Sequence, residues 1–274
     1  MKPLIIIPTL NEVEHITDII TRIIKQYNHC HILVVDGNSS DGTIQAVEEL
    51  KKTCPSISII TQPEDNLGFG RALALGFKEA LKKDFNPIIT MDGDGSHDPS
   101  YIATFLSLSS QYDMIIGSRY INGVRVEGWK FRKLLLSKLA NMYVSYVLVK
   151  PIWDFTSGFR CYSRELLEKI NLDKLHSQAY TAQIQLVHSA FHHRFVVKEI
   201  PFIYKDTKSS ISRVDQYSKR KTFFFVLKYR APLLEIYRHL TYIKKDYTRF
   251  VEEYEELVNP PKLKNDGKFD LKDH

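Results

Sequence analysis

Apolar runs and amphipathic stretches alternate through the first half of the chain. Residues 4–7, Leu-Ile-Ile-Ile, are apolar throughout and read as a buried strand that Pro8 stops. Residues 14–26 follow, with Ile16, Ile19, Ile20, Ile23 and Ile24 at helical spacing. The same alternation predicts strands at 32–35, 58–61, 87–91 and 114–116. It predicts helices at 43–52, 70–83 and 99–109. Strands apolar on both faces, alternating with helices, imply an α/β fold with a mostly parallel sheet covered by helices on both sides. Ligands on such sheets sit at the carboxyl ends of the strands.

The second half has a different texture. Residues 130–149 read as an amphipathic helix with a basic start at Lys130, Arg132, Lys133 and Lys138. Residues 154–160 form a polar turn, and helices follow at 164–170 and around 181–192. Residues 196–200 and 202–204 read as strands interrupted by Pro201. From 205 to 228 the chain is strongly basic, and 233–257 is helical and highly charged. Pro260 and Pro261 end that stretch, so 216–258 are expected as C-terminal amphipathic and charged helices and 259–274 as a disordered tail.

Composition narrows the classes. The chain has 274 residues, 43% of them hydrophobic, which is too much apolar surface for a disordered protein. Apolar runs such as 142–149 and 223–227 fall far short of the ~20 residues that span a bilayer, which excludes a polytopic membrane protein. The net charge of +6 suits anionic partners, although a solubilising surface is the plainer reading. Cys30, Cys54 and Cys161 are scattered and lack zinc or redox spacing, which fits a reducing, cytoplasmic compartment. The N-terminus has no signal-peptide shape.

The strand ends carry the chemistry. They hold Pro8-Thr9-Leu10-Asn11-Glu12, then Asp36 to Gly42, then Asp92-Gly93-Asp94-Gly95-Ser96-His97-Asp98, then Gly117-Ser118-Arg119-Tyr120. Topology should bring all four to one edge. Asp92 and Asp94 stand one residue apart and can face one divalent cation or a metal–diphosphate; the same letters also make an ordinary acidic turn. Gly93 and Gly95 let backbone approach a ligand. Asp36 suits a ribose or base, whereas Asp41 or Ser40 reads as a helix cap. Arg119, Arg132 and Arg160 offer planar forks for phosphate oxygens, and at least one should be an ordinary ion pair or surface residue. Gly68-Phe69-Gly70 lacks the third glycine of a dinucleotide site, no GxSxG supports a serine hydrolase, and no nucleic-acid-binding motif is present.

With these blocks in order, the chain resembles glycosyltransferase family 2, and within it the dolichyl- and polyprenyl-phosphate mannosyltransferase branch. The resemblance runs from residue 3 to about 215. It continues through Val126-Glu127-Gly128-Trp129, Arg132-Lys133 with Ser137 and Asn141, and Asp154-Phe155-Thr156-Ser157-Gly158-Phe159-Arg160-Cys161-Tyr162. It implies a GT-A catalytic domain over 1–215 and a nucleotide-sugar donor, with GDP-mannose expected. Pro8, Asn11, Glu12 and Asp36 then match nucleoside-binding loops, with Asp92 and Gly93 on the donor. Asp92, Asp94 and Ser96 match the metal-binding segment for Mg²⁺ or Mn²⁺. Arg119 and Arg132 match basic residues near donor and acceptor phosphates and, with Asp94, form the expected catalytic set. Gly37, Ser96, Gln185, Thr207 and Ser210 depart from the family's usual residues, which bears on the sugar and the acceptor.

A phosphate acceptor is already ionised near neutral pH and needs alignment more than a general base. A single displacement with inversion onto a polyprenyl phosphate follows. The lipid partner implies a protein peripheral on the cytoplasmic face of a membrane, through 130–149 and 218–237 or through a membrane-anchored partner subunit. Two alternatives stand beside it. One is a family 2 transferase using UDP-glucose or a saccharide acceptor, where an acidic residue such as Asp154 would serve as base. The other is a non-catalytic nucleotide-sugar binder.

Overall fold

The computed structural model describes residues 2–175 and 179–207; the expected basic stretch beyond 207, the C-terminal helices and the tail lie outside the described residues. The chain runs β1 (Leu4–Thr9), α1 (Val13–Gln26), β2 (His31–Asp36), α2 (Thr43–Thr53), β3 (Ile57–Thr61), α3 (Phe69–Leu81) and β4 (Ile88–Thr90). It continues with α4 (Ile102–Leu108), β5 (Met114–Ser118), β6 (Val126–Glu127), α5 (Phe131–Leu148), β7 (Arg160–Tyr162) and α6 (Arg164–Lys169). It closes with α7 (Ala179–His192), β8 (Val197–Pro201) and β9 (Tyr204–Lys205).

Seven strands form one sheet in the order β3-β2-β1-β4-β7-β5-β8, parallel except for β7; β6 and β9 pair separately. Alternation along each strand supplies two cores. Leu4 and Ile6 face α3, α5, α6 and α7, while Ile5 and Ile7 face α1, α2 and α4. Ile16, Ile19, Ile20 and Ile23 put one stripe of α1 into the second core, each worth about 2 kcal/mol of burial.

Pro8 does not stop β1; it lies inside the strand, opposite Val35. The bonding direction alternates. Leu4 and Ile6 bond toward β4, at Pro87 and Met91, and Thr9 bonds toward β2 at Gly37. Pro8 therefore points its missing N–H toward β4, beyond the end of that strand at Thr90, and no ladder bond is lost. Pro201 similarly ends β8, an edge strand, and the chain then crosses to the small sheet.

The structure departs from the sequence pattern at two further places. Residues 154–160 are not only a turn, because Arg160 begins β7 between β4 and β5. Running antiparallel, β7 brings the loop before it to the carboxyl ends of its neighbours, with Arg160 opposite Thr90 and Ile116. The helix α5 is not amphipathic in the expected sense. Its polar Lys138, Asn141 and Ser145 face inward, while Phe131, Leu136 and Leu139 are exposed.

Candidate active site

The loops after β1 and β2 are sewn together. The Thr9 hydroxyl and the Ser39 hydroxyl both donate to Asp36 Oδ2, at 2.8 and 2.7 Å, and the Ser39 N–H donates to Oδ1 at 2.7 Å. Asp36 is fully buried and shapes this loop from within. Asn11, at φ 56°, donates its N–H to Ser39 Oγ and accepts from the Ser40 N–H. The Glu12 N–H donates to Thr43 Oγ1. Gly42, at φ 100°, holds the cap position of α2, yet Asp41 accepts the first helical N–H, from Thr43, and also the Val13 N–H. One carboxylate thus anchors the starts of two helices.

The loop after β4 presents the carboxylate pair. Asp94 Oδ1 accepts from the Ser96 N–H at 2.9 Å and the Ser96 hydroxyl at 2.6 Å. Ser96, buried, turns its hydroxyl to Asp94 and orients it. Asp92 Oδ1 is a buried acceptor with no partner. A Cβ on Gly158 would stand 2.8 Å from that oxygen, so only glycine leaves room there. A Cβ on Gly93 would meet Thr9 Cγ2 at 2.9 Å, so the glycine lets this loop pack closely on β1. Burial holds the Asp92 carboxyl well above the usual carboxylate range; Asp94 and Glu12 add to this and Arg119 opposes it.

His97 closes this loop. Its Nδ1 accepts the Asp92 N–H at 2.9 Å, which puts the ring proton on Nε2, 3.7 Å from Asp92 Oδ2. The ring stacks on Phe159 at 4.9 Å and meets Phe202 edge-on at 5.4 Å. Burial pushes the imidazole far below its ordinary value, so His97 is neutral and braces the Asp92 backbone. Its only sequence signal was its place inside the acidic motif.

Behind the carboxylates lies a buried ion pair. Arg119 Nε and Nη2 reach the two oxygens of Asp154, each at 2.7 Å, and Nη2 also donates to Thr156 Oγ1 at 2.7 Å. Burial disfavours both charges, yet the Asp154 carboxylate with the nearby tyrosines raises the Arg119 pKa, and Arg119 with Arg160 lowers that of Asp154. Tyr120, Trp129 and Tyr204 ring the guanidinium at 5.4 to 5.6 Å. Glu199 on β8 holds the backbone at this position, accepting the N–H groups of Trp153 and Asp154 at 2.9 Å each. Burial pushes Glu199 up to about 7. Arg160, also fully buried, donates to the Phe155 and Gln183 carbonyls and is a structural residue.

The start of α5 differs from expectation. Arg132 is exposed. Its neighbour Lys133 turns in, to Asp206 at 2.9 Å and over the Trp129 ring at 4.5 Å. Lys138, 2% exposed, lies 4.3 Å from the Trp153 ring centre and 5.2 Å from that of Tyr120. Asn141 ties the segment to the 154–156 loop, accepting the Phe155 N–H at 2.7 Å. Of the departures from the family pattern, Gln185 donates to the Lys174 carbonyl and Thr207 lies beside Gly95; Ser210 falls outside the described residues.

A divalent cation fits the carboxylate pair. The unpartnered Asp92 Oδ1 is a hard oxygen with no protein donor, and Asp94 is held in place by Ser96. Among the described residues no group of three or more His, Cys, Asp or Glu could hold a metal ion by itself.

Comparison with known proteins agrees with this geometry. The model of the family described as glycosyl transferase family 2 matches residues 4–171. Polyprenol monophosphomannose synthase of Mycolicibacterium smegmatis is 36% identical over 229 residues, 83% of this chain and 86% of the relative. Undecaprenyl-phosphate mannosyltransferase of Micrococcus luteus is 28% identical over 214 residues, 78% of this chain and 88% of the relative. Among solved structures, glucosyl-3-phosphoglycerate synthase of Mycobacterium tuberculosis with phosphoglyceric acid superposes with a TM-score of 0.63 at 16% identity, covering 84% of this chain and 80% of that one. The same enzyme with Mn²⁺, UDP and phosphoglyceric acid gives 0.59 at 14%, covering 83% and 78%. At these identities the structural likeness is one of fold, a GT-A-like sheet flanked by helices. Strand ends, carboxylate pair and sequence kinship converge on one conclusion: the chain belongs to glycosyl transferase family 2.

Proposed function

We propose that the protein transfers mannose from GDP-mannose to a polyprenyl phosphate, with inversion at the anomeric carbon. Its kinship to the two phosphomannose-forming relatives supports the substrate class. The observation that carries the reading is the Arg119–Asp154 pair. Both Asp154 oxygens are bound by Arg119 and its proton affinity is depressed, so it cannot be the base that a saccharide hydroxyl demands. A phosphate monoester needs no such base.

In this reading Pro8, Asn11 and Glu12 form the nucleoside side of the site, shaped from beneath by the buried Asp36, and Asp92, Gly93 and Asp94 the diphosphate side. Asp92 and Asp94 would hold Mg²⁺ or Mn²⁺, and the bound cation would neutralise charge on the departing diphosphate. Ser96 orients Asp94 and His97 fixes the Asp92 backbone. Arg119 supplies a fixed positive field beside the carboxylates. Arg132, exposed at the start of α5, meets the incoming lipid phosphate. A phosphate oxygen bonds to the anomeric carbon as the bond to the diphosphate breaks, and GDP leaves.

The exposed Phe131, Leu136 and Leu139, beside Lys130 and Arg132, suit an anionic membrane surface on the cytoplasmic side. No described helix is long and apolar enough to cross a membrane.

The test is a product assay with GDP-mannose, Mg²⁺ or Mn²⁺ and a polyprenyl phosphate, followed by mass spectrometry of the lipid extract. A mannosyl-phospholipid is expected with the wild type and is absent with Asp94→Ala, whose circular dichroism stays native. No lipid product, or full turnover by Asp94→Ala, would overturn the reading.

A further inference from the structure

One residue beyond β3, at the same sheet edge, stands a side chain that the motifs did not mark. Gln62 is 5% exposed. Its N–H donates to the Asp36 carbonyl at 2.8 Å, which ties it to the β2 loop. Its Nε2 donates to the carbonyl oxygens of Asn66 at 3.0 Å and Gly68 at 3.2 Å. Both partners are acceptors only, so the amide cannot be reversed without setting its oxygen against two carbonyl oxygens. Oε1 therefore has a fixed direction, and among the described residues no donor meets it.

That oxygen faces the space above Gly37. A Cβ on Gly37 would stand 3.4 Å from Gln62 Oε1, 3.5 Å from Leu10 Cδ1 and 3.5 Å from the Thr9 carbonyl oxygen. Three adjacent strand ends thus enclose one small space. The end of β1 contributes Leu10, an apolar side chain left 40% exposed. The end of β2 contributes the bare backbone of Gly37. The end of β3 contributes a single oriented acceptor. The side chain is mostly buried but this oxygen stays open to solvent, so a donor arriving from outside can take the place of water there. A flat ring laid on Leu10, with N–H groups at its edge, satisfies both the apolar contact and the acceptor.

We propose that Gln62 Oε1 reads the base of the donor nucleotide by accepting a hydrogen bond from its N–H edge. The inference rests on the nucleotide-sugar reading above and deepens it by naming the residue that recognises the base. Guanine fits best, since its ring N1–H and its exocyclic N2 amine are adjacent donors on one edge. Gly37 keeps the approach open.

Titration calorimetry with GDP, IDP and N1-methyl-GDP, in the presence of Mg²⁺, tests this on the wild type and on Gln62→Met. IDP lacks the amine, and N1-methyl-GDP lacks the ring N–H. The wild type should lose about tenfold or more with at least one analogue. Gln62→Met should bind all three within about twofold of one another, the spread left when no directed hydrogen bond discriminates among them. If Gln62 only braced its loop through Nε2, the variant would weaken all three nucleotides equally and keep the wild-type ratios; that result, or a wild type indifferent to both analogues, overturns the proposal. Gly37→Val leaves Gln62 intact and fills the space before Oε1; GDP binding at wild-type strength in that variant overturns it equally. Binding of UDP in place of GDP would remove the GDP-mannose reading alone, and the base reading would then be measured by UDP against N3-methyl-UDP.

Discussion

Single side chains in this site act mainly by holding one another. Asp36, Asp41 and Asp154 are carboxylates at strand ends, and all three are engaged with partners inside the protein. Asp92 and Asp94 differ, since one buried oxygen of Asp92 is left for something from outside. Nothing in the letters separates these two sets, because spacing does not reveal where a neighbouring loop sends its N–H groups. Asp154→Asn keeps the shape and removes the charge, leaving Arg119 buried with no counter-charge. Breaking a buried pair on one side costs about 3–5 kcal/mol, to be read from urea unfolding of wild type and variant. A loss below about 1 kcal/mol would show that the pair is not the anchor of this cluster.

At the level of elements, a short strand decides the site. The three-residue β7 carries a buried arginine and has no hydrophobic run to announce it. Its antiparallel direction nonetheless brings Asp154 to the carboxylate edge. Edge strand β8 then braces that loop through Glu199, and this gives a pH signature. The folded pKa of Glu199, about 7, lies above the ~4.3 of an unfolded glutamate. Between those values the native state holds a proton that the unfolded chain has released, so this residue's contribution to stability falls as pH rises through that window. Glu199→Gln removes the titration but leaves one backbone N–H without its acceptor. The stability deficit of the variant should therefore be larger at pH 5 than at pH 8 by denaturant unfolding, and a deficit independent of pH would count against the assignment.

On the scale of the whole molecule, the outer face of α5 matters most. The helix buries Lys138, Asn141 and Ser145 together with Leu134, Val144, Val147 and Leu148, and leaves Phe131, Leu136 and Leu139 exposed, a face that suits an apolar environment outside. With Lys130 and Arg132 at the start of the same helix, the protein should sediment with anionic liposomes at low salt and be released at high salt. Leu136→Glu, at a position 67% exposed, should weaken that retention without loss of fold. Equal retention on neutral and anionic vesicles, or none at low salt, would remove the membrane reading.

The sequence by itself determined the layered α/β architecture, since strands apolar on both faces alternate with helices and can be buried only between helix layers. It also determined the edge at which the chemistry gathers, because parallel strands share one carboxyl end. Tertiary structure decided what each polar residue at that edge does. It placed Asp154 against Arg119, turned Lys133 inward and left Arg132 outside, and aimed the carbonyl of Gln62 over Gly37. Such partnerships depend on the direction of a strand and the face of a helix, and they join residues far apart in the chain. Hydrophobic periodicity reports which face is buried, whereas the hydrogen bonds made at a buried polar atom depend on which other loops arrive there.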